Sequence, residues 1–135
     1  MVVQTIAIDA ELKRCLRSPY LSEDPTKKSE ARGELEAAQD LYQKAEQSFQ
    51  ADDEATGLKQ AWGAMFRAAR ALVYSAGYTV DGLRCMEIVL EAHYLGKGLE
   101  MEDIGELRRA QELVGPPDAA LARARAFMEK AAALL

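Results

Sequence analysis

Apolar residues recur at steps of three and four through most of the chain, the spacing that gathers side chains on one face of an α-helix. In "SEARGELEAAQDLYQKAEQSFQ", Ala31, Leu35, Ala38, Tyr42, Ala45 and Phe49 fall on one side and charges fill the remaining positions. The spacing predicts a two-sided helix of several turns. The acids and glycine of "ADDEATG" come next and predict a short connection to another helix.

That next segment, "AWGAMFRAARALVYSAGY" from Ala61 to Tyr78, differs from an ordinary surface helix. Leu58, Ala61, Trp62, Met65, Phe66, Ala69, Leu72, Val73 and Ala76 make one broad apolar face. Ala64, Ala68, Ala71 and Ser75 form a ridge of small residues that permits close helix approach, and Gly63, Arg67, Arg70 and Tyr74 line a third stripe. The pattern predicts the central helix of the fold, with Trp62, Phe66, Leu72 and Val73 buried and the small ridge available for a two-fold contact. Gly77 is placed to supply a left-handed cap at its end.

After "YTVDG", Leu83, Met86, Leu90 and Tyr94 resume helical spacing until Gly96 and Gly98. "LEMEDIGELRRAQELV" predicts a further short helix. "GPPDAALARARAFMEKAAALL" restarts after a Gly-Pro-Pro break, with Leu121, Ala124, Met128, Ala131 and Leu135 facing inward. An amphipathic stretch from Ile6 to about Arg17 precedes "SPYLSEDPTKKSE", where Pro19 and Pro25 break any helix. No segment shows the alternation of a strand, and no internal repeat is present. The expected fold is all-α: an up-and-down bundle of four main helices, with a short N-terminal helix and a short helix near residues 100–114. Residues 1–26 form the N-terminal helix and arm and residues 27–135 the bundle of a single domain.

Composition agrees with one globular domain: 135 residues, 49% hydrophobic and 29% charged. The formal net charge of -5 gives no whole-molecule attraction for phosphates, so contact with RNA or a nucleotide requires a local basic patch. Cys15 and Cys85 stand 70 residues apart, outside any CxxC or histidine cluster. They are expected to be free, largely buried thiols in a reducing cytoplasm. "MVVQTIAIDAELKRC" lacks the basic leader and long apolar run of a secretory signal, and no stretch approaches a membrane span. A cytoplasmic protein without membrane partners is expected.

Candidate chemistry is sparse. The single histidine, His93, has Leu90 rather than a glutamate three positions before it, which excludes the paired ExxH motifs of a di-iron bundle. His93 lies near a helix C-terminus on a partly apolar face, a structural setting. Gly96-Lys97-Gly98 lacks the phosphate-loop pattern, and neither a metal nor a cofactor is expected. Arginines cluster as Arg67 and Arg70, Arg108 and Arg109, and Arg123 and Arg125. The last pair reads as a solvated face. Arg67 and Arg70 rise from the most apolar helix, where a guanidinium pairs with a carboxylate or lays its stem at an interface. With Tyr74 they are the candidates for ligand or interface contact.

The segment "AxxAMFxAARALVYxxGY" between Ala61 and Tyr78 resembles the HEPN family (higher eukaryotes and prokaryotes nucleotide-binding). The charged "ELEAAQDLYQKAEQSF" helix before it, and the "CMEIVLEAH", "IGELRRAQEL" and alanine-rich helices after it, extend the likeness from about Leu12 to Leu135. The resemblance implies a four- to five-helix bundle that forms a homodimer. Many members of that family are ribonucleases, often the toxin of a toxin–antitoxin pair whose partner is a small nucleotidyltransferase.

The family's catalytic signature is an arginine followed four to six residues later by a histidine. The matching region here is "GELRRAQELVGPPD", so Arg108 or Arg109 takes the arginine position, but Leu113, Val114, Gly115 and Pro116 follow and no histidine does. Arg67 also stands where many relatives carry a histidine. Cleavage by 2′-hydroxyl attack requires a proton shuttle near neutral pH, and valine offers none. The resemblance therefore implies a non-catalytic homodimeric binding or regulatory module. Two alternatives stay open: a metal-independent ribonuclease with a displaced site built from Arg108, Arg109 and His93, and a nucleotide- or small-ligand-binding protein.

Overall fold

The computed structural model describes residues 2–135, and side chains from residue 7 onward. The Ile6 side chain, at the start of the first amphipathic stretch, lies outside the described residues. The described chain is all-α apart from two short strands. In order it runs α1 (Val2–Leu16), β1 (Leu21–Glu23), a 3-10 helix (Pro25–Glu30), α2 (Ala31–Gln50), α3 (Glu54–Ser75), β2 (Tyr78–Val80), α4 (Leu83–Tyr94), α5 (Met101–Ala110) and α6 (Pro117–Leu134).

Local chemistry sets these boundaries. The Asp53 carboxylate accepts the Thr56 backbone N–H at 3.2 Å and caps α3, and Asp24 does the same for the 3-10 helix through Thr26, with Pro25 at its first turn. At α5, Glu100 and Asp103 form a reciprocal capping box. Gly77 follows α3 with φ +90°, the left-handed cap expected from its position.

α2 and α3 are joined by only three residues, so they run antiparallel and share the largest interface of the fold. Their close approach requires Gly57, where a Cβ would meet the Phe49 ring at 2.5–2.8 Å. α6 lies against α3 and α2, α4 and α5 each meet α3, and α1 packs chiefly on α4. Met65, Leu72, Val73, Met86, Val89, Leu90, Leu99, Ile104 and Leu107 are fully buried at the centre. Removing their apolar surface from water is the main force holding the bundle together.

Four expectations need correction. β1 and β2 pair antiparallel, with Leu21 opposite Val80 and Glu23 opposite Tyr78. At three residues each, "LSE" and "YTV" are too short to show alternation in the sequence. Secondly, Ala64, Ala68 and Ala71 are fully buried within the chain's own core. The small ridge serves close packing inside the protomer and presents no surface to a second copy. Thirdly, Leu72 and Val73 are buried as expected, but Trp62 and Phe66 are only half-buried and meet edge to face at a centroid distance of 5.7 Å. Lastly, Cys15 and Cys85 are not free thiols: they form a disulfide between α1 and α4, with Cα atoms 5.9 Å apart. Each helix presents its cysteine to the other, a geometry that a 70-residue separation conceals. The reducing compartment inferred from free thiols loses its basis. Among the described residues, no helix is long and apolar enough to cross a membrane.

Candidate functional site

Glu34, in the first turn of α2, faces the far end of α3 because the two helices are antiparallel. It takes both arginines of the central helix. Arg67 donates from Nη1 to Oε1 at 3.2 Å, and Arg70 donates from Nε to Oε2 at 2.8 Å. Burial pulls the Arg70 guanidinium down, but the Glu34 hydrogen bond and charge outweigh it and leave its pKa above the ordinary value. The Arg70 guanidinium also lies 5.7 Å from the ring centroids of both Phe66 and Tyr74. Lys27 of the 3-10 helix covers the same Tyr74 ring at 5.5 Å and pairs with Glu30 at 3.2 Å.

The three candidate ligand or interface residues, Arg67, Arg70 and Tyr74, are thus brought together. Lys27, Arg67 and Arg70 stand together along one edge, with Glu30 and Glu34 as their bonded carboxylates and Asp24 also close to Lys27. The Arg67 side chain keeps 40% of its surface exposed, so this edge is reachable from solvent. Tyr74 is buried and serves as the floor beneath the two cations.

The residues of the displaced catalytic site are not brought into one hydrogen-bonded group. Arg108 and Arg109 are adjacent on α5 and therefore diverge by about 100°. Arg108 Nε bonds Glu87 Oε1 on α4 at 2.9 Å. Arg109 Nη2 bonds Glu106 Oε1 at 2.7 Å, and Arg123 of α6 takes the other oxygen of Glu106 at 2.5 Å. Burial pushes the Glu106 carboxyl up, and its bonds to Arg123 and Arg109 outweigh this to hold it below its usual value. Lys130 bonds Asp103 at 2.8 Å beside this group and fastens α6 to α5.

His93 lies six residues beyond Glu87, about 9 Å further along α4 and turned well away from it. Its Nε2 meets the Tyr78 hydroxyl at 3.0 Å. Burial, followed by the Lys97 charge, lowers the His93 pKa, and burial raises that of Tyr78. Both groups are therefore neutral around pH 7, and their bond links β2 to α4. Among the described residues, no hydrogen bond or ion pair joins His93 to Arg108 or Arg109, and no group of acidic, histidine and cysteine side chains is arranged to hold a metal.

Three carboxylates that organise the arginines, Glu34, Glu87 and Glu106, went unnoticed in the sequence. Glu87 had a signal: it sits between Met86 and Ile88 in "CMEIVL", and it is the one charged residue buried among the described residues. Glu34 and Glu106 look like any solvated helix acid and carried no signal. No family model matches the chain, and a comparison with curated proteins finds no match to it.

Proposed function

We propose that the chain is a non-catalytic, HEPN-like binding or regulatory module that works as a homodimer. One observation carries the reading: the arginines a nuclease would need are committed to carboxylates, and the lone histidine is neutral and engaged with a tyrosine. Arg108 is held by Glu87 and Arg109 by Glu106, while His93 bonds Tyr78. A charge-stabilising arginine without a proton shuttle beside it performs no acid–base step. The half-exposed edge of Lys27, Arg67 and Arg70 offers charge-assisted hydrogen bonds to an anionic group of a partner. The half-buried Trp62 and Phe66 next to it supply apolar surface for the second protomer. The resemblance to HEPN proteins supports the dimer and names the kind of partner, a small nucleotidyltransferase in a toxin–antitoxin-type pair.

Light scattering at micromolar concentration tests the assembly. The expected mass is twice that of the chain, and Arg67→Met lowers the dimer fraction while circular dichroism stays unchanged, because Glu34 keeps Arg70 as its partner. A monomer mass for the wild type overturns the homodimer.

A further inference from the structure

The cysteine pair does not sit sealed in the core. Cys15 and Cys85 keep 6% and 7% of their surface, and both line an open cleft of about 210 Å³ between α1 and α4. Arg14, Arg84, Glu11, Ser18, Tyr20 and Ile88 complete the walls. Each cysteine is thus adjacent in sequence to an arginine of the cleft. Glu11 bonds Arg84 at 3.3 Å and Glu91 of α4 lies close to both, so among the described residues Arg14 is the cleft cation without a carboxylate bond. The cleft falls below the roughly 300 Å³ of ordinary ligand pockets, and it suits the sulfur end of a small molecule.

Three half-buried apolar side chains among the described residues join this bond in holding α1. Among the described α1 side chains, Cys15 is the most buried, while Ile8, Leu12 and Leu16 are half-buried. The Arg84–Glu11 pair is exposed and contributes little. Beyond α1 the chain turns through Ser18 and Pro19 into β1, which is anchored separately by Leu21 and by pairing with β2.

We propose that the Cys15–Cys85 disulfide is a thiol-exchange site, opened by an anionic low-molecular-weight thiol entering this cleft, and that its reduction releases α1 from α4. An incoming thiolate attacks the sulfur of one cysteine and forms a mixed disulfide. The S–S bond of the protein breaks, and the other cysteine leaves as a thiolate that Arg14 and Arg84 stabilise until it takes a proton from water. A second thiolate then attacks the external sulfur of the mixed disulfide and frees the first cysteine. Two thiols are oxidised to one small disulfide, and the protein cystine gains two electrons. Nothing in this proposal depends on the binding reading above.

The test uses the oxidised protein in glutathione buffers without denaturant. Thiols are trapped by alkylation and counted by intact mass, and hydrogen exchange is followed in the same samples. Two thiols are expected in excess reduced glutathione, with protection lost across residues 7–16 and retained in α3. Reduction that occurs only in denaturant, or that leaves the protection of α1 unchanged, overturns the proposal. Arg14→Gln, an exposed change that spares the fold, is expected to slow reduction by glutathione about fivefold, the size of one solvent-exposed charge contact. Its rate with dithiothreitol, whose only charge is the attacking thiolate, should fall less, because Arg14 then acts on the sulfurs alone and not on the carboxylates of glutathione. Equal effects on the two reductants, or no effect on either, overturn the assignment to an anionic thiol.

Discussion

The α2–α3 hairpin and the α1–α4 pair are both two-helix contacts, yet opposite means hold them. α2 and α3 are neighbours in sequence, joined by three residues, and meet along their whole length through Ala38, Ala45, Ala61, Ala64 and the glycine at position 57. Their charges are internal to the contact, since Glu34 ties Arg67 and Arg70 across it. α1 and α4 are far apart in sequence, share half-buried apolar residues, and are fastened by one covalent bond. A contact made of many small apolar and polar pieces survives the loss of any one of them. A contact made chiefly of one bond does not.

The largest effect is therefore expected at the cysteines. Cys85→Ser removes a cross-link between residues 70 apart, and the chain-entropy model puts the loss of stability at about 4 kcal/mol. Denaturant unfolding of the oxidised wild type and of the variant checks this. A midpoint and slope unchanged by the substitution would mean that α1 docks without the bond, and the contrast between the two regions would collapse.

At the hairpin a smaller loss is expected. Glu34→Ala leaves two guanidiniums without their carboxylate, but Arg67 is 40% exposed and regains water, so the cost should be about 1–2 kcal/mol. Denaturant titration again measures it. A loss matching that of Cys85→Ser would show that the hairpin, too, hangs on a single contact.

The hairpin was readable in advance for the same reason that it is robust. Helical periodicity, the short connection at "ADDEATG" and the Gly77 cap are local signals, and each held from α2 to the end of α3. That Arg67 or Arg70 pairs with a carboxylate follows from the apolar setting of α3, but which carboxylate depends on the register between two helices, which periodicity does not set. The α1–α4 bond was illegible because nothing near Cys15 or Cys85 announces the other. β1 and β2 escaped for a related reason, being three residues long and paired across α2 and α3. On α6, Phe127 is buried while Leu121 is only half-buried, since the helix turns its inner face toward both α2 and α3 rather than one of them. Of the candidate site, the grouping of Arg67, Arg70 and Tyr74 was legible from one helical stripe. The separation of His93 from Arg108 and Arg109 was not, because it depends on how α4 meets α5.

The smallest effect concerns the link between β2 and α4. The His93 pKa is lowered in the fold, so below about pH 6.5 the unfolded imidazole takes up a proton before the folded one. Its contribution to stability is complete above that pH and is lost as the pH falls toward the folded value. Stability measured between pH 7.5 and 5 should decline less steeply in His93→Gln than in the wild type. An identical slope would remove His93 from the account of this link.

RNA cleavage tests the central claim, that these arginines and this histidine are held for structure and binding rather than catalysis. Purified protein incubated with single-stranded RNA is expected to show no cleavage above background, and Arg109→Ala should give the same trace. Cleavage by the wild type that disappears in His93→Ala would contradict the account and establish a ribonuclease with a displaced site.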